Sequence, residues 1–140
     1  MKIQIKKLHP AAKLPNYAHP GDAGMDLYAV VDGVIAPGER MQVPLGIAMA
    51  IPFGYVGLIW DKSGLSHKSG LKTLGGVVDA GYRGEVMVGV VNTSGTSYTF
   101  KAGDKVAQML IQKVEQPTLV ETDVLDETVR GDGAFGSTGI

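Results

Sequence analysis

The sequence predicts an all-β protein, a jelly-roll-type sandwich or barrel with one short helix and a flexible, glycine-rich C-terminal tail. Three observations carry this prediction. Short strand-like segments follow one another along the chain, separated by turn signals at roughly the 8–12-residue spacing of sandwich and barrel folds. Glycine supplies 20 of 140 residues, about twice ordinary usage, and shows no fixed period that would indicate a repeat array. Only one stretch, Ser63 to Leu71, can hold a helix, and Gly64 and Gly70 keep it short.

Ile3 and Ile5 lie on one face of the first segment, with Lys2, Gln4 and Lys6 on the other, the period of a half-buried strand. Pro10 to Gly21 holds three prolines and no periodicity, so it reads as a loop. Asp26 to Val30 returns to strand character. Pro37-Gly38 signals a turn, and Glu39 to Val43 is a strand stopped by Pro44. Ile47, Met49 and Ile51 alternate, and Tyr55 to Trp60 forms a further strand. Ser63 is a candidate helix N-cap. Gly75 to Glu85 reads as a hairpin with Asp79-Ala80-Gly81-Tyr82 at its bend. Val86, Val88 and Val90 alternate again; Tyr98 to Lys101 leads through Gly103 into a strand over Val106 to Val114. Residues 1–129 therefore form one domain. Residues 130–140 cannot pack a core and form a separate tail.

Composition excludes several function classes. Thirteen basic and fourteen acidic residues give a net charge of −1, without the basic excess on which nucleic-acid coating relies. The absence of cysteine removes disulfide scaffolds, cysteine nucleophiles and zinc ribbons. No apolar run reaches the roughly 18 residues of a membrane span, so a soluble, cytoplasmic protein is expected. The sequon Asn92-Thr93-Ser94 then carries little meaning.

Familiar nucleotide motifs also fail. Gly131 to Gly136 satisfies G-x-G-x-x-G, yet only four residues follow, too few for the helix that receives a pyrophosphate. His67 stands where a P-loop requires glycine before Lys68-Ser69. No G-x-S-x-G elbow is present, and the three histidines share no metal-ligand spacing.

Five segments remain that composition does not explain. Gly21 to Leu27 sets Asp26 between a loop and a strand, and Asp61-Lys62-Ser63-Gly64-Leu65 puts a cation, a hydroxyl and a glycine at a helix start. Gly75 to Glu85 is the hairpin, Gly103 to Gln108 opens a strand, and Arg130 to Gly139 is the tail. Arg83 and Arg130 each precede a glycine, a pairing of forked cation and approachable backbone suited to anions.

In this order the five segments resemble those of the trimeric deoxyuridine triphosphatases. The resemblance runs from Ala23 to Gly139, and Gly76-Val77-Val78-Asp79-Ala80-Gly81-Tyr82-Arg83-Gly84 and the tail are its most specific parts. It implies a jelly roll that cleaves dUTP to dUMP and pyrophosphate with Mg²⁺. It also implies a homotrimer with active sites shared between subunits. By the resemblance, Asp79 orients and deprotonates the attacking water, and Asp26 serves the metal through water. Ser63, Gly64 and Gln108 match phosphate contacts, with Lys62 where the family usually has arginine. The backbone at Gly76, Val77 and Val78 reads the uracil edge, Tyr82 packs under the deoxyribose, and Met87 adds a backbone contact. In the tail, Arg130, Gly136, Ser137 and Thr138 close over the triphosphate, and Phe135 stacks on the base. Lys62, Thr73 and Ala134 depart from the family pattern. The alternatives are a dCTP deaminase-like or bifunctional member of the same fold, and a regulatory binding protein built on a deoxyuridine triphosphatase body.

Overall fold

The computed structural model describes residues 1–134. Eleven strands and one helix follow in chain order: β1 Gln4–Lys7, β2 Met25–Tyr28, β3 Gly33–Ile35, β4 Arg40–Pro44, β5 Ile47–Ala50, β6 Tyr55–Trp60, α1 Ser63–Ser69, β7 Leu71–Leu74, β8 Val77–Val78, β9 Met87–Asn92, β10 Tyr98–Phe100 and β11 Lys105–Lys113. All ladders are antiparallel. Two larger sheets, ordered β2-β11-β6-β8 and β4-β9-β7, are accompanied by two two-stranded pairs, β1-β5 and β3-β10. Most partners are distant in sequence, as in the crossed connections of a jelly roll.

Alternation decides which side chains fill the interior. Val86, Val88 and Val90 are essentially inaccessible, and Ile47, Met49 and Ile51 meet them together with Leu27, Phe100 and Met109. Close packing explains Gly33, where a Cβ would lie 2.3 Å from the Phe100 ring. The sequon is closed to modification. Asn92 is fully buried, its amide donating to Ile35 O and Thr96 O and its carbonyl oxygen accepting from Ser94.

The structure departs from the sequence expectations in four places. The helix ends at Ser69, because Gly70 adopts a left-handed φ of 67° and its N–H closes onto Leu65 O and Ser66 O. Its N-cap is Lys62, without a side-chain cap, so Ser63 is the first helical residue. Strands β3 and β7 are additional. Finally, the bend at Asp79–Tyr82 is real, with Tyr82 N donating to Asp79 O at 3.1 Å, but its arms do not form a hairpin ladder. β8 pairs with β6, while β9 pairs with β4 and β7. The bend therefore carries the chain from one sheet to the other and holds Asp79 at the crossing.

Beyond β11 the chain makes no further strand or helix through residue 134. Leu119, Val120, Val124, Leu125 and Val129 along this arm are each at least 79% exposed.

Candidate active site

The first part of the site is built on β8. Ile59 N donates to Gly76 O at 2.7 Å, and a Cβ on Gly76 would lie 2.4 Å from Ile59 O. Only glycine lets the strand enter this close to β6. Val77 then pairs with Leu58 and Val78 with Gly57. β8 ends its sheet, so among the described residues its outer backbone edge has no strand partner. Such an edge offers unpaired N–H and C=O groups to a ligand.

The chain next turns through Asp79. Tyr82 Oη donates to Glu85 O at 2.9 Å, and a Cβ on Gly84 would lie 2.4 Å from that hydroxyl. The tyrosine ring is thus fixed against a glycine. Arg83 donates to Ala80 O and Tyr82 O, each at 2.7 Å, and so braces the bend. Glu85 accepts from Gly46 N at 2.8 Å, tying the bend to the turn between β4 and β5. Val77, Val78, Asp79, Tyr82 and Met87 line one cavity of about 340 Å³, with Gln42, Ile59, Gly75, Glu85 and Val86 completing it. That size lies at the lower end of small-ligand pockets. Gln42 and Glu85 carry no site role in the sequence reading; nothing in the strand 40–44 marks Gln42 as different from a solvent-facing residue.

A second group gathers where β2, β11 and the entry to α1 meet. Asp26 is 2% exposed and carries two ammonium groups: Lys62 Nζ on Oδ1, and Lys105 Nζ on Oδ2 at 2.7 Å. Burial alone would raise this carboxyl, but its pairing with the Lys105 and Lys62 ammonium groups outweighs it and holds its pKa below the usual carboxylate range. Gln108 sits opposite Asp26 in the ladder, and its amide donates to Asp61 O at 2.8 Å. Gly24 must lack a side chain, since a Cβ would lie 2.6 Å from Gln108 Oε1. Asp61 in turn accepts from Thr73 N and Thr73 Oγ1, each at 2.7 Å, and from Lys72 at 2.7 Å. Thr73, a departure from the family pattern, therefore holds the loop that presents Lys62 and Ser63.

These contacts bear on a metal. A water-mediated reach from Asp26 to Mg²⁺ would start from a carboxylate already paired with two ammonium groups. Among the described residues no cluster of three or more histidine, aspartate or glutamate side chains could hold a metal ion.

None of Asp26, Lys62, Ser63, Gly64 or Gln108 lines the Asp79 cavity. The structure thus brings the expected residues together as two groups. Arg130, in the described part of the tail, donates to Gly133 O at 3.0 Å and is exposed. Phe135, Gly136, Ser137 and Thr138 lie outside the described residues.

Asp61 and Asp26 also predict the acid response. Burial raises the Asp61 carboxyl, but Lys72 and Thr73 outweigh that and lower its pKa. A folded-state pKa below the unfolded value of about 3.9 gives stability that is present above that value and lost as pH falls through the folded one. The unfolding free energy measured by denaturant should therefore fall progressively below about pH 4, and Asp61→Asn should flatten that decline. An unchanged slope in the variant would show that Asp61 does not contribute.

An all-β body with a nucleoside-sized cavity, an open strand edge and a lysine–carboxylate cluster defines a nucleotide-handling protein of the jelly-roll class, without a Rossmann or P-loop element. The comparisons make this specific. The chain belongs to the dUTPase family, whose sequence model matches residues 11–139. It is 49% identical to the deoxyuridine 5'-triphosphate nucleotidohydrolase of Thermobifida fusca, covering 99% of this chain and 79% of the relative. It is 48% identical to that of Mycolicibacterium gilvum, covering 98% and 94%. Among solved structures, the Staphylococcus bacteriophage 80alpha dUTPase with dUpNHpp superimposes with a TM-score of 0.94 at 28% identity, covering 99% of each chain. A mutant dUTPase from phage phi11 of S. aureus, described with a structural Mg(II) ion, gives 0.83 at 28% identity, covering 89% of this chain and 98% of that one. No helix of the described residues is long and apolar enough to cross a membrane.

Proposed function

We propose that this chain hydrolyses dUTP to dUMP and pyrophosphate by in-line attack of water at the α-phosphorus. Family membership supports the reaction. The observation that carries the reading to residues is the cavity in which Asp79, Tyr82 and the free edge of β8 meet. Uracil presents an N3–H donor beside an O4 acceptor, and the backbone at Gly76, Val77 and Val78 offers the complementary groups. Cytosine reverses the pattern and would leave buried groups unpaired, a penalty that discriminates strongly. Tyr82, fixed against Gly84, lies under the sugar and leaves no room for a 2′-hydroxyl; Met87, which lines the same cavity, adds a backbone contact. Asp79 is exposed at the bend, where its carboxylate takes a proton from the attacking water.

The phosphates fall to the second group. Lys62, Ser63, Gly64 and Gln108 receive the triphosphate, and Arg130, Phe135, Gly136, Ser137 and Thr138 close over it. Mg²⁺, held chiefly by the substrate phosphates and reached by Asp26 through water, would supply charge neutralisation there. Incubation with Mg²⁺ and each nucleotide should release pyrophosphate from dUTP, with dCTP, dTTP and UTP at least ~100-fold poorer in kcat/KM, which needs about 2.7 kcal/mol of discrimination. Ammonia release from dCTP would instead favour the deaminase reading.

The active unit is a homotrimer with sites shared between subunits. Two observations support this. The arm after β11 exposes five large apolar side chains that a single chain leaves in water. The phosphate group and the Asp79 cavity also do not share a wall, which suits a site completed by a second copy. Sedimentation should give a trimer at assay concentration; a fully active monomer would contradict it.

A further inference from the structure

Lys105 belongs to none of the roles discussed so far, yet its placement is specific. The ladder between β2 and β11 pairs Gln108 with Asp26 and Ala107 with Leu27, then shifts register so that Lys105 faces Tyr28. Side chains alternate between sheet faces, so in an unbroken ladder Lys105 would share the face of Ala107, away from Asp26. The extra residue, Val106, is buried. It takes the irregular position and returns Lys105 to the face of Asp26 and Gln108. Bulges commonly re-aim a side chain in this way.

The result is one carboxylate between two lysines, Lys62 at the N-cap of α1 and Lys105 at the start of β11. Asp26 has a side-chain exposure of 3%, while Lys62 and Lys105 reach water at 27% and 46%. The trio carries one net positive charge, and its charged face is the lysine face. Each ammonium has three donors; Lys62 gives one to Asp26 Oδ1, while Lys105 pairs with Oδ2 by charge at 2.7 Å without a hydrogen bond. A buried anion shared by two partly exposed cations fixes their positions without cancelling their charge.

We propose that Lys105 is a second phosphate-binding cation acting beside Lys62, and that Asp26 is the positioning residue holding both ammonium groups toward the pyrophosphate portion of the substrate. This deepens the dUTP reading and rests on it. Two ammonium groups on one counter-ion also supply the charge that a single lysine delivers without an arginine's fork.

Inorganic pyrophosphate with Mg²⁺ and dUMP serve as separate probes, each measured as an inhibitor of dUTP hydrolysis. Lys105→Gln should weaken pyrophosphate inhibition by ~10-fold, the scale of losing one hydrogen bond to a charged group, and leave dUMP inhibition within about twofold. Lys105→Arg should restore it. Lys101→Gln, which removes the same charge from an exposed pair with Asp32, should change neither. Equal weakening of both inhibitors, or parity between the Lys105 and Lys101 variants, would overturn the proposal. In the unmodified protein, pyrophosphate with Mg²⁺ should also protect Lys105 from an amine-acylating reagent, and no protection would overturn it without any variant having to fold. If the unmodified protein released no pyrophosphate from dUTP, the functional reading itself would fail, a result separable from these.

Discussion

Asp79→Asn is expected to fold as the parent does, to bind dUTP, and to lose ~10²-fold or more of kcat, the usual cost of removing a general base. The structure explains why folding should survive. Asp79 is exposed, and its part in the bend is played by its backbone carbonyl, which accepts from Tyr82 N. Arg83 braces the same bend through carbonyls of Ala80 and Tyr82 rather than through the carboxylate. Asparagine keeps the shape and the hydrogen-bonding reach but cannot accept the proton. Steady-state kinetics with a binding measurement separates the two effects. Near-normal turnover would place the base elsewhere.

Deleting residues 130–140 should produce an equally large loss of activity with almost no loss of stability. The described part of the tail is exposed or half-exposed, and its hydrogen bonds are local ones around Thr128, Arg130, Gly131 and Gly133. Truncation after Val129 removes none of the buried core, so unfolding free energy should stay within about 1 kcal/mol of the parent. On the proposed reading the deleted residues bring Arg130 to the phosphates and Phe135 to the base in the closed complex. Interactions made only there act on the reacting state, so kcat/KM should fall at least ~100-fold. A truncated protein that hydrolyses dUTP normally would show the segment to be only a terminus.

Much of this was legible in the sequence because the chemistry sits where glycine and short polar motifs interrupt strand alternation. Val86, Val88 and Val90 announced the core face of β9 through a strict period of two. Gly76 and Gly84 stood inside the motif the sequence singled out, but the close approaches they allow, to Ile59 O and to the Tyr82 ring, show only in the fold. The same local signals failed where tertiary partners decide. Leu71–Leu74 follows the helix directly and has apolar ends rather than alternation; it is a strand because β9 pairs with it. The arms of the Asp79 bend looked like a hairpin, since nothing local says that β8 prefers β6. Lys105 was hidden for a related reason. Alternation alone puts it on the wrong face, and the bulge that corrects this exists only against β2. Gln42 entered the cavity wall through packing of β4 against β9, which its neighbours in sequence do not encode.

The claim that most of the account depends on is that water, activated at Asp79, attacks the α-phosphorus. Hydrolysis of dUTP in heavy-oxygen water, followed by mass spectrometry of both products after a single turnover, tests it directly. The label should appear in dUMP and be absent from pyrophosphate. Label in the pyrophosphate would mean attack at the β-phosphorus and would contradict the assignment of Asp79 and its cavity as the reacting centre.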